Sequence, residues 1–285
     1  MIILNGKEFS VNYRNSLKEK VLELKNSLNK VPGLAVVIIG EDPASQIYVR
    51  NKIKACEEVG LFSETIRLPE SISQEQAENA VKDLASRDDI DGIIVQLPLP
   101  KKFNSGKILA HIPTEKDVDG LNSENLGKLL MGEKCLVSCT PNGIIKLLKG
   151  YNVEFTGKHA VVIGRSNMVG KPISILLQKE NCTVTMCHSK TEDIKKYTLM
   201  ADIVVVAIGK DRFLTSDMVK EGAIVVDVGM NRVDGKLYGD VDYEGVSTKA
   251  SMLTPVPGGV GPMTVTMLIH NTVTAFIRKY GKDEL

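Results

Sequence analysis

The sequence has almost no net charge, and this shortage excludes one class of protein. Lys and Arg together number 36 and Asp and Glu number 35, which gives a formal net charge of +1. A protein that binds nucleic acid mainly through phosphate contacts carries a large basic excess. We therefore expect no nucleic-acid partner, although a local basic cluster for a small anion is compatible with this balance.

Cysteines are also few. The chain has five in 285 residues, at positions 56, 135, 139, 182 and 187. An odd, scattered set does not form a disulfide framework and is typical of a reducing compartment, so we predict a cytoplasmic protein. Cys135 with Cys139, and Cys182 with Cys187 and His188, match no zinc-ligand spacing. We predict no metal site.

Long hydrophobic runs are the third shortage. The N-terminal MIILNGKEFS is too short in its apolar part for a signal peptide. No stretch approaches the roughly 20 apolar residues of a membrane span, so we expect no membrane partner. Residues 282–285 spell KDEL, an endoplasmic-reticulum retention signal that acts only after entry into the secretory pathway. Without an entry signal, we interpret it as a chance match.

Alternating helix-like and strand-like segments predict an α/β protein with a largely parallel sheet and about two domains. Predicted helices include one around residues 17–28, one that Asp42 caps and Gly60 ends, and one that follows the capping box of Ser73 and Gln76. Further helices are predicted at 142–148, 172–179 and 263–278, and strands at 34–39, 93–97, 160–163, 183–187, 203–207 and 223–228.

Residues 161–172, VVIGRSNMVGKP, follow the order strand, glycine-containing turn, helix start. Backbone N–H groups at such a helix start hold the pyrophosphate of a dinucleotide. The usual G-x-G-x-x-G is broken by Ser166 at the middle glycine, so the turn alone is equally compatible with an ordinary strand-to-helix connection.

The end of the next strand, CHSK at residues 187–190, favours NADP over NAD. NAD sites usually place an acid here for the ribose 2′-hydroxyl, and this segment has none. Arg165, Ser166 and Ser189 instead offer donors for a 2′-phosphate. The alternative is that these are solvated turn residues.

In the first half, Tyr48 and Lys52 lie four residues apart and so share one helix face beside an apolar stripe. Desolvation there would lower the pKa of a lysine and suit it to acid–base chemistry, whereas most helix lysines are simply solvated. Gln96 comes at the carboxyl end of a buried strand, where ligands of open α/β sheets bind. It is either a structural amide or a partner for the lysine.

Two loops complete the candidate set. Asp117 and Asp119 precede Gly120, and one of the two is expected to be a turn-former. Residues 254–262, TPVPGGVGP, combine fixed and permissive backbone, against which a flat ligand can lie. An interdomain hinge explains this loop almost as well.

Taken together, these segments closely resemble the bifunctional methylenetetrahydrofolate dehydrogenase/methenyltetrahydrofolate cyclohydrolase family over nearly the whole chain. The motifs that carry the resemblance are GEDPASQIYVRNKIKACEEVG from Gly40, DGIIVQLPLP from Asp91, PTEKDVDG from Pro113, CTPNG from Cys139, GRSNMVGKP from Gly164, CHSKT from Cys187, DVGMN from Asp227, GDVD from Gly239 and TPVPGGVGPMT from Thr254. Several long motifs in the right order are far more specific than one glycine turn.

The resemblance implies an α/β fold of two domains with a cleft between them. Residues 1–140, completed by a C-terminal helix at 263–285, would form the folate-binding catalytic domain, and residues 141–262 a Rossmann-like NADP-binding domain. The implied activity is NADP-dependent oxidation of 5,10-methylenetetrahydrofolate followed by hydrolysis to 10-formyltetrahydrofolate. A homodimer, formed through the cofactor domain, is also implied.

The family's residue roles transfer to matching positions. Lys52 matches the catalytic lysine, Tyr48 the aromatic that packs on the folate, Gln96 the amide that tunes the lysine, and Asp119 the carboxylate that binds the pterin. The NADP-binding positions are matched by Gly164, Arg165, Ser166, Ser189 and the backbone of Met230, and the folate wall by Pro257, Gly258 and Gly261.

Two departures are visible: Ser138 stands where the family commonly has proline, and Met230 where isoleucine is usual. Neither removes a reactive group. Two rival hypotheses remain open, a dehydrogenase-only relative that uses NAD and a non-enzymatic module that senses NADP or folate.

Overall fold

A computed structural model of the chain describes residues 1–281, which divide into two compact units. One unit comprises Met1–Val11 and Thr140–Thr264, and the other Asn12–Cys139 together with the chain from Val265 onward. The predicted division placed residues 1–11 with the segment that follows them, whereas the structure groups them with Thr140–Thr264. The KDEL sequence at 282–285 lies outside the described residues.

The elements alternate along the chain, which confirms the predicted α/β class. The helices are α1 (Gly6–Leu28), α2 (Pro43–Val59), α3 (Gln74–Ser86), α4 (Ser105–Leu109), α5 (Ser123–Met131), α6 (Cys139–Gly150), α7 (Gly170–Lys179), α8 (Ile194–Thr198), α9 (Tyr243–Ser247) and α10 (Val260–Lys279). The strands are β1 (Ile2–Ile3), β2 (Gly33–Ile39), β3 (Phe62–Leu68), β4 (Gly92–Val95), β5 (His159–Ile163), β6 (Thr183–Cys187), β7 (Ile203–Val206), β8 (Ile224–Asp227), β9 (Asn231–Val233), β10 (Lys236–Tyr238) and β11 (Met252–Leu253).

The unit that contains Asn12–Cys139, which we call the three-stranded unit, is built on a parallel sheet in the order β3-β2-β4. Every residue of the central strand β2 is buried. Ala35, Val37 and Ile39 from β2 pack with Ala77 and Val81 from α3 in one core cluster. The carboxyl ends of the three strands therefore lie at one edge of a rigid sheet.

Local capping residues fix the helix that follows β2. Asp42 accepts a hydrogen bond from Ser45 N at 2.8 Å, and Pro43 stands in the first turn. Gly60 ends α2 at φ +89°, a left-handed conformation that glycine adopts without steric cost. These contacts confirm the predicted start and end of α2, and they fix which residues of the helix share a face.

The other unit, the six-stranded unit, has the strand order β1-β11-β8-β7-β5-β6, with every neighbouring pair parallel. The chain passes from β5 to β6 on one side and then crosses to β7 on the other side of β5. Ligands of such sheets bind outside the carboxyl ends of the strands at this switch point. The N-terminal residues join this unit because β1 pairs with β11.

Among the described residues, α10 alone has the length and hydropathy of a membrane span, and 78% of its 18-residue window is buried in the protein. The length and composition of α10 therefore contradict the expectation that no segment approaches a membrane span. Burial to this extent is typical of a core helix.

Candidate functional site

Lys52 and Gln96 form a hydrogen-bonded pair in the three-stranded unit. Lys52, on α2, donates from Nζ to Gln96 Oε1 at 3.0 Å. Gln96 follows β4 and is 9% exposed. Its Nε2 donates to Leu97 O at 2.6 Å, and its backbone N donates to Val37 O at 2.8 Å. Because the amide nitrogen is already bonded, the amide oxygen faces the lysine.

Tyr48 lies one helical turn before Lys52 on α2, and its side chain is 41% exposed. The two share a helix face because residues four positions apart are neighbours on the surface of an α-helix. An exposed ring beside a half-buried ammonium group provides a flat apolar surface next to a proton donor.

The two acids of the 117–120 loop have different environments. The Asp117 carboxylate accepts hydrogen bonds from Leu121 N at 3.2 Å, Asn122 N at 2.8 Å and Asn125 Nδ2 at 2.9 Å. Asp117 is therefore the turn-former of the pair. Burial raises the pKa of Asp119, while the charge of Lys52 and a hydrogen bond from the Cys139 thiol act in the opposite direction.

Sequence reasoning missed Asn271, a buried amide on α10 that braces the loop of Asp119. Asn271 Nδ2 donates to Val118 O and to Val137 O, both at 2.8 Å, and the side chain is 2% exposed. Cys139 Sγ also lies 3.2 Å from the same Val118 carbonyl oxygen. An amide in the middle of an apolar helix was the available signal.

Ser138, where the family commonly has proline, also supports this loop. Its hydroxyl donates to Gly120 O at 2.8 Å and is buried. Gly120 has φ +69°, and a Cβ there would lie 2.4 Å from Ser138 N. The two segments therefore pack backbone to backbone beside Asp119.

Pro257, Gly258 and Gly261 lie in the six-stranded unit, where the N-terminal segment supports their loop. Gly258 has φ +105°, and its carbonyl accepts a hydrogen bond from Lys7 N at 2.8 Å. A Cβ on Gly6 would lie 1.8 Å from the Gly259 carbonyl oxygen. Residues 6 and 7 thus fix the loop backbone from behind.

The candidate cofactor residues emerge at one edge of the six-stranded sheet. β5 and β6 are neighbours, with Ile163 paired to Cys187, so the segments that follow both strands start side by side. Arg165, Ser166 and Ser189 are exposed there. Within residues 164–166 and 188–190 there is no carboxylate.

Two glycines make the turn after β5 compact. Gly164 has φ +128°, and a Cβ there would lie 2.4 Å from the Ala207 carbonyl oxygen. A Cβ on Gly170 would lie 2.3 Å from Gly164 O. The two glycines allow the tight turn and the close helix–strand packing that are typical of a dinucleotide fingerprint, although Gly170 stands one position after the third glycine of G-x-G-x-x-G.

Ser166 has a role in this turn that the sequence did not indicate. Its Oγ accepts hydrogen bonds from Val169 N at 3.1 Å and Gly170 N at 3.3 Å, and its carbonyl accepts one from Lys171 N at 3.0 Å. These three N–H groups are therefore hydrogen-bonded within the turn. The Ser166 hydroxyl keeps its own proton to donate.

Met230 follows β8 and precedes β9, and its side chain is 49% exposed.

Within residues 1–281, His, Cys, Asp and Glu side chains form no group of three that could hold a metal ion. Apart from Cys135, which is half-buried, the free cysteines are buried.

Known proteins resemble this chain over almost its whole length. The family model described as tetrahydrofolate dehydrogenase/cyclohydrolase, catalytic domain, matches residues 4–119, and the NAD(P)-binding domain of the same family matches residues 138–280. The bifunctional protein FolD of Chloroherpeton thalassium is 53% identical over 289 residues, which cover 97% of this chain and 98% of the relative.

Solved structures agree in fold. The bifunctional FolD methylenetetrahydrofolate dehydrogenase/cyclohydrolase of Campylobacter jejuni has a TM-score of 0.96 at 47% identity and covers 98% of this chain and 99% of its own. The FolD of Trypanosoma brucei, solved with NADP cofactor and an inhibitor, has a TM-score of 0.93 at 37% identity with 98% of each chain covered. Both domain models and these relatives agree, and the chain belongs to the tetrahydrofolate dehydrogenase/cyclohydrolase family.

Proposed function

We propose that this chain is a bifunctional one-carbon folate enzyme. It oxidises 5,10-methylenetetrahydrofolate to the 5,10-methenyl form with NADP⁺ and then hydrolyses the methenyl form to 10-formyltetrahydrofolate. The observation that carries the proposal is the 3.0 Å hydrogen bond between Lys52 and Gln96, beside Asp119, in a chain of this family. The pair supplies the acid–base group that a dehydrogenase without hydrolase activity does not need.

Hydrolysis requires proton transfers, and Lys52 is positioned to make them. Water adds to the methenyl carbon and passes a proton to the Lys52 side chain. The carbon–nitrogen bond then breaks while the hydroxyl of the adduct releases its proton to water and becomes the formyl carbonyl, and the Lys52 side chain returns its proton to the departing nitrogen. Gln96 holds the amine in place, Tyr48 packs on the folate, and the Asp119 carboxylate accepts hydrogen bonds from the pterin ring.

The six-stranded unit binds NADP through residues at the carboxyl ends of β5, β6 and β8. When bound, NADP⁺ accepts a hydride from the methylene carbon. Arg165, Ser166 and Ser189 donate to the 2′-phosphate, which no nearby carboxylate repels. Gly164 lets the backbone approach the cofactor closely, and Met230 borders it through its backbone.

Pro257, Gly258 and Gly261 form a wall of the folate site, and Gly6 is the residue on which this wall depends. We expect Gly6→Ala to raise the KM for methylenetetrahydrofolate by about 10-fold, since the new methyl group displaces the Gly259 carbonyl and a misplaced contact costs about 1–2 kcal/mol. Steady-state kinetics check this. Gly127→Ala, whose Cβ would meet open space on α5, is the control and is expected to leave the KM unchanged.

Asn271 gives a second test of the folate site. We expect Asn271→Leu to raise the KM for the folate substrate about 10-fold, because the Val118 and Val137 carbonyls lose their hydrogen-bond donor. Leaving a buried acceptor unpaired costs about 1–3 kcal/mol of free energy. Thr274→Val on the same helix is the control, since its buried hydroxyl has no hydrogen-bond partner. Equal KM values in both variants would contradict a role for Asn271 in positioning Asp119.

The proposal extends to assembly and location. The chain forms a homodimer through the six-stranded unit, works in the cytoplasm, and binds neither nucleic acid nor a membrane. β6 supports the dimer, since it is the last strand of its sheet and its outer edge presents backbone groups to a partner. Sedimentation velocity tests this, and a monomer at micromolar concentration contradicts it.

A steady-state absorbance assay with methylenetetrahydrofolate and each nicotinamide cofactor tests the function. We expect turnover with NADP⁺, weaker turnover with NAD⁺, and decay of the methenyl form faster than its uncatalysed hydrolysis. Preferred NAD⁺ with uncatalysed methenyl decay would instead indicate a dehydrogenase-only relative. Tight binding of both ligands without turnover would indicate a sensing module.

A further inference from the structure

The motifs DVGMN at residues 227–231 and GDVD at residues 239–242 carry the family resemblance, and of their residues only Met230 belongs to the proposed NADP site. In the six-stranded unit they meet through two buried carboxylates, those of Asp227 and Asp240, which are 3% and 0% exposed. Neither side chain is accessible at the surface. Their function must therefore be sought in what they hold.

Asp240 holds the loop that follows β7. Its Oδ2 accepts hydrogen bonds from Ile208 N at 2.7 Å and Gly209 N at 2.9 Å. Its Oδ1 accepts from Lys210 N at 2.8 Å and from Asn231 Nδ2 at 2.9 Å. One carboxylate thus orders three consecutive peptide units and the residue that directly follows Met230.

Asp227 holds the segment that carries Asp240. Its Oδ1 accepts hydrogen bonds from Gly229 N at 2.9 Å and Asp240 N at 2.8 Å, and its Oδ2 accepts from Val241 N at 3.0 Å. The Asp227 N–H donates to Thr254 Oγ1 at 2.7 Å, at the start of the TPVPGGVGP loop. The network therefore connects four loops of one unit.

Two glycines show how closely the two motifs interlock. A Cβ on Gly239 would lie 1.7 Å from Asp227 Oδ2, and a Cβ on Gly229 would lie 2.2 Å from Asp240 Oδ1. Each glycine belongs to one motif and makes room for the carboxylate of the other. Burial, together with the charge of Asp240, raises the pKa of Asp227 to about 6, so the fold keeps two adjacent acids at a free-energy cost.

We propose that Asp227 and Asp240 are positioning residues for NADP, because their carboxylates fix the 208–210 loop and the backbone on both sides of Met230. This rests on the proposed function, because it takes the carboxyl edge of the six-stranded sheet as the NADP site. Neither aspartate touches the reacting atoms. Both act through the backbone that they order.

Asp240→Asn tests the proposal. The carboxylate accepts hydrogen bonds with both oxygens, whereas the amide of asparagine turns one acceptor into an NH₂ group that faces N–H donors. We expect the KM for NADP⁺ to rise about 10- to 100-fold, with the KM for methylenetetrahydrofolate within about 2-fold of wild type. Hydrolysis of methenyltetrahydrofolate supplied without NADP⁺ should also remain within about 2-fold of wild type, since Lys52 and Gln96 belong to the three-stranded unit. Asp242→Asn is the matched control, because Asp242 lies two residues after Asp240 and its side chain makes no cap hydrogen bond to α9.

Asn231→Ser covers the case in which Asp240→Asn does not fold. It removes the amide that donates to Asp240 Oδ1 at 2.9 Å and to Gly239 O at 3.2 Å, and we expect a rise of about 5-fold in the KM for NADP⁺. Direct titration of NADP⁺ into each protein by calorimetry separates this proposal from the proposed function, because it reads cofactor affinity even if wild-type protein shows no turnover. An unchanged NADP⁺ affinity in the folded variants, or an equal loss of both activities, overturns the proposal.

Discussion

Lys52→Met is expected to lower the rate of methenyltetrahydrofolate hydrolysis by about 10²- to 10⁴-fold, while NADP⁺ binding stays at the wild-type level. The thioether has a length similar to that of the lysine stem but neither accepts nor returns a proton. The hydrogen bond to Gln96 Oε1 is lost at the same time. Hydrolysis is measured by supplying the methenyl form directly, and NADP⁺ affinity by calorimetry.

Lys54→Met is the matched control for this experiment. Lys54 lies on α2 two residues after Lys52, and its side chain is exposed. Loss of one positive charge from this helix therefore leaves hydrolysis unchanged if the effect is specific to Lys52. Full hydrolase activity in Lys52→Met would contradict the assignment of the proton-transfer role to this residue.

Arg165→Ala is expected to lower kcat/KM for NADP⁺ by about 10- to 100-fold and to leave kcat/KM for NAD⁺ within about 2-fold of wild type. Hydrogen bonds to a charged group contribute about 1.5–3 kcal/mol, and only NADP⁺ carries the 2′-phosphate that receives them. Parallel steady-state assays with the two cofactors measure the ratio. Methenyl hydrolysis in the absence of cofactor should not change.

Lys179→Ala controls for the loss of charge, because Lys179 is an exposed residue at the far end of α7. It should leave both cofactor parameters unchanged. If Arg165→Ala weakens NADP⁺ and NAD⁺ equally, the guanidinium does not read the 2′-phosphate, and cofactor selectivity must come from Ser166, Ser189 or the backbone.

Elements with local signals were predictable from the sequence. The predicted caps of α2 are present, as is the capping box of Ser73 and Gln76 at α3. They could be predicted because these hydrogen bonds join residues only a few positions apart. β3, FSETIRL, was not predicted, since its polar residues hide the strand pattern and its pairing with β2 decides its conformation. β1 has two residues and depends on β11 near the other end of the chain.

The candidate site divides in the same way. Lys52 and Gln96 were singled out by residue type and by position on their elements, and the structure brings them together across 44 positions. Asn271 was missed because its acceptors lie more than 130 positions away. The cap that Ser166 forms was not predicted, because the sequence does not reveal that its hydroxyl accepts hydrogen bonds from Val169 N and Gly170 N.

The measurement that tests the account most directly follows both products during one reaction of the wild-type protein with methylenetetrahydrofolate and NADP⁺. We predict that 10-formyltetrahydrofolate forms in parallel with NADPH, with the methenyl form kept below the level that uncatalysed hydrolysis would leave. NADPH formation accompanied by methenyl that accumulates and decays at its uncatalysed rate would contradict the account, since Lys52 and Gln96 would then have no hydrolytic role.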